Sequence, residues 1–493
     1  MANQLPAEII QLRKDEASTL QGQLAAAIVR AILEAHARPG TRLPSSRRLA
    51  ATLGISRMTV TLVYQDLVSR GYLETLPRSG IAVADSVPHR GLSASSVRPA
   101  GERPPDWTQW LGEQNQPRRV IRKPSNWHQY RYPFIYGQAD PRLFDHNAWR
   151  DCARRALGTR DFADLAADRY GADDPLLVDY ICSNTLARRG IRARPDEVLV
   201  TLGAQNALFL AVELLARADR RAVTEDPGYP DFAETLRRAQ SPTSFLPVDD
   251  KGLVPALLPP DTKLVIATPS HHIPTGATMP IDRRHDLLRR AAAQDFLIIE
   301  DDYDFEMSYL APPEPALKSL DAEDRVIYIG SFSKSLFPGL RIGYLVAPAP
   351  LIAKARALRG IMLRHPPGHL QRITAYFLAL GHYDAHIERL RAALKRRRAV
   401  LEQALAMTDL RIEGAAESGG SSVWLRGAEG SDSALLAESL RAESVLIEPG
   451  EVFFEQPPTP CPLFRLGYSS INERDIPEGI ALVAQMDRAM ARG

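Results

Sequence analysis

Cysteine is scarce in this chain: three residues in 493, Cys152, Cys182 and Cys461, far apart and odd in number. That pattern excludes a disulfide framework and a zinc site, so no metal is expected, and it fits a reducing compartment. Long apolar runs are missing too. No stretch approaches the ~18 consecutive apolar residues that a membrane-crossing helix requires. Residues 1–8 lack a basic stretch followed by an apolar core. The expectation is a cytoplasmic protein without membrane contact. Nor is there a large charge of one sign: 61 Lys and Arg stand against 59 Asp and Glu, a net +2. Such a balance names no partner by itself. Hydrophobic residues at 45% and charged residues at 24% exclude a disordered chain, and 493 residues exceed one core, so two or three domains are expected.

The charge is spread unevenly. Up to Arg90 there are eleven Lys or Arg against seven Asp or Glu, an excess compatible with phosphate binding. Over residues 18–37 apolar side chains recur at helical spacing, with Leu20, Leu24, Ile28, Ile32 and Leu33 on one face, and Pro39-Gly40 ends the segment. Leu43-Pro44-Ser45-Ser46-Arg47 opens a short helix that Gly54 closes, and Ser56 caps another over 57–70 that stops at Gly71. Two short helices about so tight a turn form a helix-turn-helix. Residues 72–76 and 81–84, either side of Pro77-Arg78-Ser79-Gly80, predict two strands and hence a wing. From 86 to 133 the pattern dissolves into Gly, Ser and Pro, which predicts an extended tether. Its basic cluster, Arg118, Arg119, Arg122 and Lys123, suits contact with DNA or simple solvation.

Beyond Pro133 short apolar runs alternate with amphipathic helices. Strands are expected at 198–201, 221–223, 264–267, 296–300, 326–329 and 343–347. Strands separated by helices imply a largely parallel sheet covered on both faces, with ligands at its carboxyl ends. The chemically useful residues fall there. Ser331-Phe332-Ser333-Lys334 sets a lysine beside two hydroxyls, with Arg341 seven positions on. This is the set that holds pyridoxal 5'-phosphate as a lysine aldimine, with Ser331, Ser333 and Arg341 neutralising the phosphate. Gly203-Ala204-Gln205 opens a helix whose free amides can receive that phosphate. Tyr229, in Glu225-Asp226-Pro227-Gly228-Tyr229-Pro230, is placed to stack on a flat ring. The carboxylates of Glu300-Asp301-Asp302-Tyr303-Asp304 suggest a metal, or better an Asp301 that keeps a pyridine nitrogen protonated while Tyr303 donates to the ring oxygen. A basic run, Lys395-Arg396-Arg397-Arg398, lies on an amphipathic helix over 385–406 and suits DNA contact or a solvated face.

Two resemblances follow from these residues. Leu43 to Arg47, Leu49-Ala50, Gly54-Ile55-Ser56-Arg57, Val60, Tyr64, Leu67 and Gly71-Tyr72 closely resemble the winged helix of GntR-type regulators. The resemblance implies that Arg47 and Ser56 hold phosphates of double-stranded DNA, that Arg57, with Thr59 beside it, enters the major groove, and that Gly80 lets the wing approach the minor groove. From about Phe134 the chain resembles the fold type I aminotransferases, and more closely the MocR family, in which that fold follows a GntR winged helix. Its marks here are Phe144 and Trp149, Tyr170-Gly171, Arg189-Gly190-Ile191, Gly203-Ala204-Gln205, Thr268-Pro269-Ser270-His271 with Pro274-Thr275-Gly276, and Glu300 to Asp304. The implied fold is α/β: a winged helix-turn-helix over 1–85, a Pro/Ser/Gly-rich linker over 86–133, and an aminotransferase-like domain over 134–493 with a mostly parallel sheet and a smaller C-terminal α/β subdomain.

Phe464-Arg465-Leu466-Gly467-Tyr468 looks like the strand with the substrate-carboxylate arginine, so Arg465 is expected to hold an effector's carboxylate. The chain departs from the family at His272-Ile273, where Gln and an aromatic are usual, and at Asp231, where the GABA-sensing branch has Arg. Asp231 favours an effector with an amine or hydroxyl, or else faces solvent. The resemblance implies a homodimeric regulator that binds pyridoxal 5'-phosphate at Lys334, senses an amino compound, and controls a catabolic or amine-metabolism operon of the GABA, taurine, vitamin B6 or rhizopine type. The alternatives are a working aminotransferase with an appended DNA-binding domain and a sensor of the cofactor itself.

Overall fold

The computed structural model describes residues 5–7, 10, 12, 19–34, 36–76, 80–85, 106–111, 119–138, 140–168, 170–414 and 418–491. The chain divides at Gly112 into two compact units. The expected turn at 77–79, most of the expected tether and Arg118 lie outside the described residues.

In the first unit, α1 (Leu20–Leu33) buries Leu24, Ile28, Ala31 and Ile32. Leu20 and Leu33, read from their spacing as core, are exposed at its two ends. α2 (Ser46–Leu53) starts where the Ser45 hydroxyl accepts from the Arg48 amide and stops at Gly54, whose φ of 65° suits a residue without Cβ. α3 (Arg57–Ser69) is capped by Ser56 and buries Val60, Val63, Tyr64 and Leu67. β1 (Leu73–Leu76) and β2 (Gly80–Val83) pair antiparallel, which gives the wing.

The second unit is built on an eight-stranded sheet. Its order is Val198–Thr201, Gly343–Val346, Val326–Ser331, Leu297–Asp301, Thr262–Ala267, Arg221–Asp226, Thr243–Asp249 and Gly252–Leu253. The five strands from Val326–Ser331 to Thr243–Asp249 run parallel, and Gly343–Val346 is antiparallel to both its neighbours. Successive residues serve opposite faces: Val198, Val200, Tyr344 and Val346 join one apolar cluster, whereas Leu199 and Leu345 join another. Burial on both faces explains the near-continuous apolar runs. A smaller antiparallel sheet, ordered Arg411–Ile412, Ser422–Arg426, Leu463–Gly467 and Glu448–Pro449, forms the C-terminal part with helices Ser433–Leu440 and Ile476–Ala491 packed together beside it. No helix among the described residues is long and apolar enough to cross a membrane.

Two basic segments differ from their sequence reading. Residues 119–133, assigned to the tether by their prolines, belong to the second unit, where Tyr132–Pro133 pairs with Val445–Leu446. Arg119 pairs with Glu455 at 2.8 Å and Lys123 with Glu448 at 3.3 Å. The run at 395–398 is only half solvated: Arg397 and Arg398 are buried, Arg397 against Asp140 and the Ser469 carbonyl and Arg398 against Glu402 at 2.6 Å. For Arg119, Lys123 and Arg397 a local count of charges missed acidic partners distant in sequence.

Candidate functional site

The parallel strands end at one edge of the sheet, and a cavity of about 480 Å³ opens there. Its wall contains Ala204, Gln205, Tyr229, Asp301, Tyr303, Ser331, Ser333, Lys334, Arg341 and Arg465, so all ten residues expected at a cofactor and effector site share one space. The wall also carries Lys123, Tyr136 and Ile273.

Lys334 follows the strand Val326–Ser331. Burial pushes its amine from 10.5 down to about 7, with the positive Lys123 and Arg465 adding to the effect. Its Nζ lies 4.5 Å from the centre of the Tyr136 ring. Gly137, with φ +75°, lets the lysine in: a Cβ there would sit 2.2 Å from Nζ. A buried, near-neutral lysine amine is a nucleophile at ordinary pH.

Asp301 ends the strand Leu297–Asp301, and burial, reinforced by Asp302 and Asp304, pushes its carboxyl up to about 8. Its Oδ1 is buried without a partner among the described residues. The neighbouring carboxylates turn elsewhere. Glu300 accepts from the amides of Leu317 and Lys318, both at 2.8 Å. Asp302 accepts from Arg189 Nε at 2.7 Å and from the Tyr328 hydroxyl at 2.8 Å. Asp304 meets His271 Nδ1 at 3.0 Å and accepts from the Tyr136 hydroxyl at 3.3 Å. His271 is raised overall, because Asp304 outweighs the lowering by burial. Of the carboxylates in this run only Asp301 lines the cavity, where its Oδ1 is left for a donor.

The opposite wall is built for a polyanion. Helix Ala204–Leu215 begins at Gly203, φ 78°, with no side chain capping its amides. Arg341 donates to the Leu202 carbonyl at 2.9 Å, and its Nη2 would lie 3.0 Å from a Cβ placed on Gly203. The Ser333 amide donates to Ser331 Oγ at 3.1 Å, while Ser333 Oγ is buried without a partner among the described residues. Uncapped amides at a helix start, two hydroxyls and a guanidinium match a phosphate monoester. A flat ring with a nitrogen toward Asp301, an aldehyde at Lys334 and a phosphate at Gly203 and Arg341 therefore fits the donors present, as pyridoxal 5'-phosphate would.

At the far side Arg465 donates from Nε to Glu448 at 2.7 Å, its cross-strand neighbour. Its guanidinium carbon lies 4.4 Å from the Tyr136 ring centre and 4.7 Å from that of Phe453. Tyr229 lines the cavity, but its hydroxyl donates to Asp231 at 2.9 Å. Asp231 thus accepts from Tyr229, is half-buried and is absent from the cavity wall. Of the two departures beside His271, Ile273 lines the cavity. His272 does not: it is fully buried, held neutral by burial that lowers it to about 3, and its Nδ1 meets Thr275 Oγ1 at 2.7 Å. Tyr136, Gly137 and Glu448 were not singled out from the sequence. Only the contacts made by folding mark them.

In the first unit Arg47, Ser56, Arg57 and Gly80 are exposed and Thr59 is half-buried. Ser56 Oγ accepts from the Met58 amide at 3.2 Å, so it serves first as a helix cap. Arg57 Nε reaches Ser46 Oγ at 3.5 Å and ties α3 to α2. A groove of about 740 Å³ brings Gly80 of the wing beside Ser46, Thr61, Gln65 and Ser69. Arg57, Thr61, Gln65 and Ser69 follow at four-residue spacing along one face of α3, and the last three add polar groups that the sequence reading passed over.

Comparison with known proteins agrees with both halves. Residues 180–482 match the family model described as aminotransferase class I and II, and residues 20–83 match that of the gntR family of bacterial regulatory proteins. The HTH-type transcriptional regulator TauR of Rhodobacter capsulatus is 51% identical over 98% of this chain and 99% of its own. The probable rhizopine catabolism regulatory protein MocR of Rhizobium meliloti is 30% identical over 96% of this chain and 94% of its own. Among solved structures, the multiple substrate aminotransferase of Thermococcus profundus superposes with a TM-score of 0.69 at 26% identity, covering 79% of this chain and 100% of that one.

Proposed function

Because this chain belongs to the MocR-type transcriptional regulators, in which a GntR winged helix is fused to an aminotransferase class I and II domain, we propose that it binds pyridoxal 5'-phosphate at Lys334 and uses that site to sense an amino compound. The observation that carries this reading is the pairing, across one cavity, of a lysine amine lowered to about 7 with an unpartnered Asp301 carboxyl raised to about 8. Each is costly to bury alone, and each matches one end of the same ring.

When bound, the cofactor supplies an aldehyde that exchanges one amine for another and a ring that draws electrons. The residues of this chain do the rest. Lys334 offers a neutral amine. Asp301 holds a proton at the ring nitrogen, and Tyr303 and Tyr229 confine the ring. Gly203, Ala204, Gln205, Ser331, Ser333 and Arg341 seat the phosphate. Arg465 takes the acidic group of the amine ligand, since Nε is the only nitrogen of its guanidinium hydrogen-bonded among the described residues.

Through the winged helix, Arg47, Ser56, Arg57, Thr59 and Gly80 contact double-stranded DNA. A homodimer would present two such units to paired half-sites in the cytoplasm. The target is an operon of amine metabolism, and occupancy of the cavity biases two states of different DNA affinity. A second reading, turnover as an aminotransferase, is favoured by the completeness of the lysine, aspartate and phosphate set.

Borohydride reduction of the full-length protein with pyridoxal 5'-phosphate, followed by peptide mass mapping, tests the cofactor assignment. The expected result is one modified lysine, Lys334, and loss of the absorbance band in Lys334→Ala. A label elsewhere, or a band that survives in Lys334→Ala, refutes it.

A further inference from the structure

We propose that Lys123 is an effector-binding residue: with Arg465 it forms a two-cation seat for the single acidic group of an amine ligand, and thereby links cavity occupancy to the chain segment that leads back to the winged helix. The proposal rests on the reading of the cavity as an amine-sensing site and adds a residue from outside the expected domain boundary.

Residues 119–123 cross the second unit with a two-residue alternation. Arg119, Ile121 and Lys123 are half-buried, whereas Val120 and Arg122 are exposed. Each inward residue has its own anchor. Arg119 pairs with Glu455 at 2.8 Å, and its amide donates to Glu234 at 3.3 Å. Ile121 packs on the apolar cluster of Ile273, Trp424 and Phe453, beside Tyr229 and Tyr303. Lys123 donates from Nζ to the Tyr136 carbonyl and lies 3.3 Å from Glu448 Oε1. Ile121 and Lys123 both line the cavity. A strap held at both ends and in the middle forms part of the wall.

The charges at this wall do not balance. Glu448 spends one oxygen on Lys123 and the other on Arg465, the latter at 2.7 Å. Its carboxylate is held below the usual range, because these two cations outweigh the cost of burial. Two cations on one carboxylate leave one positive charge in a largely buried place. Such a charge is costly unless a counter-ion arrives. A ligand with one carboxylate or sulfonate restores neutrality, a neutral amine does not, and a dianion overshoots. The seat is also near the amine chemistry: Lys123 Nζ, Arg465 Cζ and Lys334 Nζ lie 5.8, 4.4 and 4.5 Å from the centre of one ring, that of Tyr136. An acidic group held between Lys123 and Arg465 therefore remains within reach of a short amino acid whose nitrogen is at Lys334. Lys123 is supplied by the strap, so ligand binding tightens residues 119–123 of the second unit.

The test uses the full-length protein loaded with pyridoxal 5'-phosphate and three probes: β-alanine, 2-aminoethanesulfonate and, as a comparison that lacks an acidic group, ethanolamine. Affinity is read from the absorbance titration, and strap order from hydrogen exchange of a peptide covering 119–123. Lys123→Met should weaken the acidic amines at least tenfold and ethanolamine less than twofold, and should abolish the slowing of exchange that the acidic amines produce in the wild type. Lys123→Arg should restore most of the affinity, and Arg122→Met, one residue away on the exposed side, should behave as wild type. The ratio of β-alanine to 2-aminoethanesulfonate affinity tells which acid the seat prefers. Equal weakening of all three amines, or none, in Lys123→Met overturns the role of Lys123 while the sensing site stands. Failure of the wild type to bind any of them overturns the sensing site itself and the proposal with it.

Discussion

Replacing Lys334 with methionine should stabilise the cofactor-free protein, by an amount that depends on pH in a defined direction. The amine falls from 10.5 in an exposed chain to about 7 in the folded protein, chiefly through burial. At about 1.4 kcal/mol per pH unit this depression costs about 5 kcal/mol of folding free energy. Below about pH 7 both folded and unfolded chains hold the proton, and the whole cost is felt. Between pH 7 and 10.5 only the unfolded chain holds it, so the unfolded state binds more protons, stability rises with pH and the cost fades. Methionine is unbranched, one atom shorter than lysine, and carries no charge. Lys334→Met should thus gain about 5 kcal/mol at pH 6.5 and about 2 kcal/mol at pH 9. Urea unfolding of the second unit, followed at both pH values without cofactor, measures the difference. Adding pyridoxal 5'-phosphate should reverse the order, since only the wild type can bind it covalently. A gain that is equal at both pH values, or a loss at pH 6.5, would refute the claim that this amine is buried and near neutral.

Asp301→Asn should show the opposite pH trend. The carboxyl is raised to about 8 by burial and by Asp302 and Asp304, so its cost grows from about pH 4 to pH 8 as the unfolded chain alone ionises, and the stabilisation by asparagine should grow with it; the same variant should bind the cofactor more weakly in equilibrium dialysis. Gly203→Ala places a methyl 3.0 Å from Arg341 at φ +78°, and should raise the cofactor dissociation constant by at least tenfold with little change in DNA binding measured by gel shift. Arg57→Ala should cost about 1 to 3 kcal/mol of specific operator affinity if the guanidinium reads a base, and unchanged affinity would remove it from the recognition surface.

Much of this was legible because the decisive signals are local. Ser45, Gly54 and Ser56 announce the helix ends by cap chemistry alone. The all-buried strands read as apolar runs, and Lys334 stands out from its serines and Arg341. What stayed hidden depends on partners far away in the chain. Nothing near Lys123 shows that Glu448, over three hundred residues later, draws it into the cavity, so prolines and neighbouring arginines made the segment look like solvated tether. Arg397 reads as surface until Asp140 is placed beside it. The sequence left Asp231 open between an effector contact and solvent, because nothing in it shows that the Tyr229 hydroxyl two residues away donates to it. Local periodicity fixes which face of an element is buried. Which charge meets which is decided by topology.

The most direct test of the sensor reading is the affinity of the full-length, cofactor-loaded protein for its own upstream DNA, measured with and without an acidic amine while keto product is assayed in the same samples. The expected result is a change in DNA affinity that requires Lys334, is lost in Lys334→Ala, and proceeds without stoichiometric keto product. Steady formation of keto product with DNA affinity unchanged would contradict it and identify the second unit as a working aminotransferase.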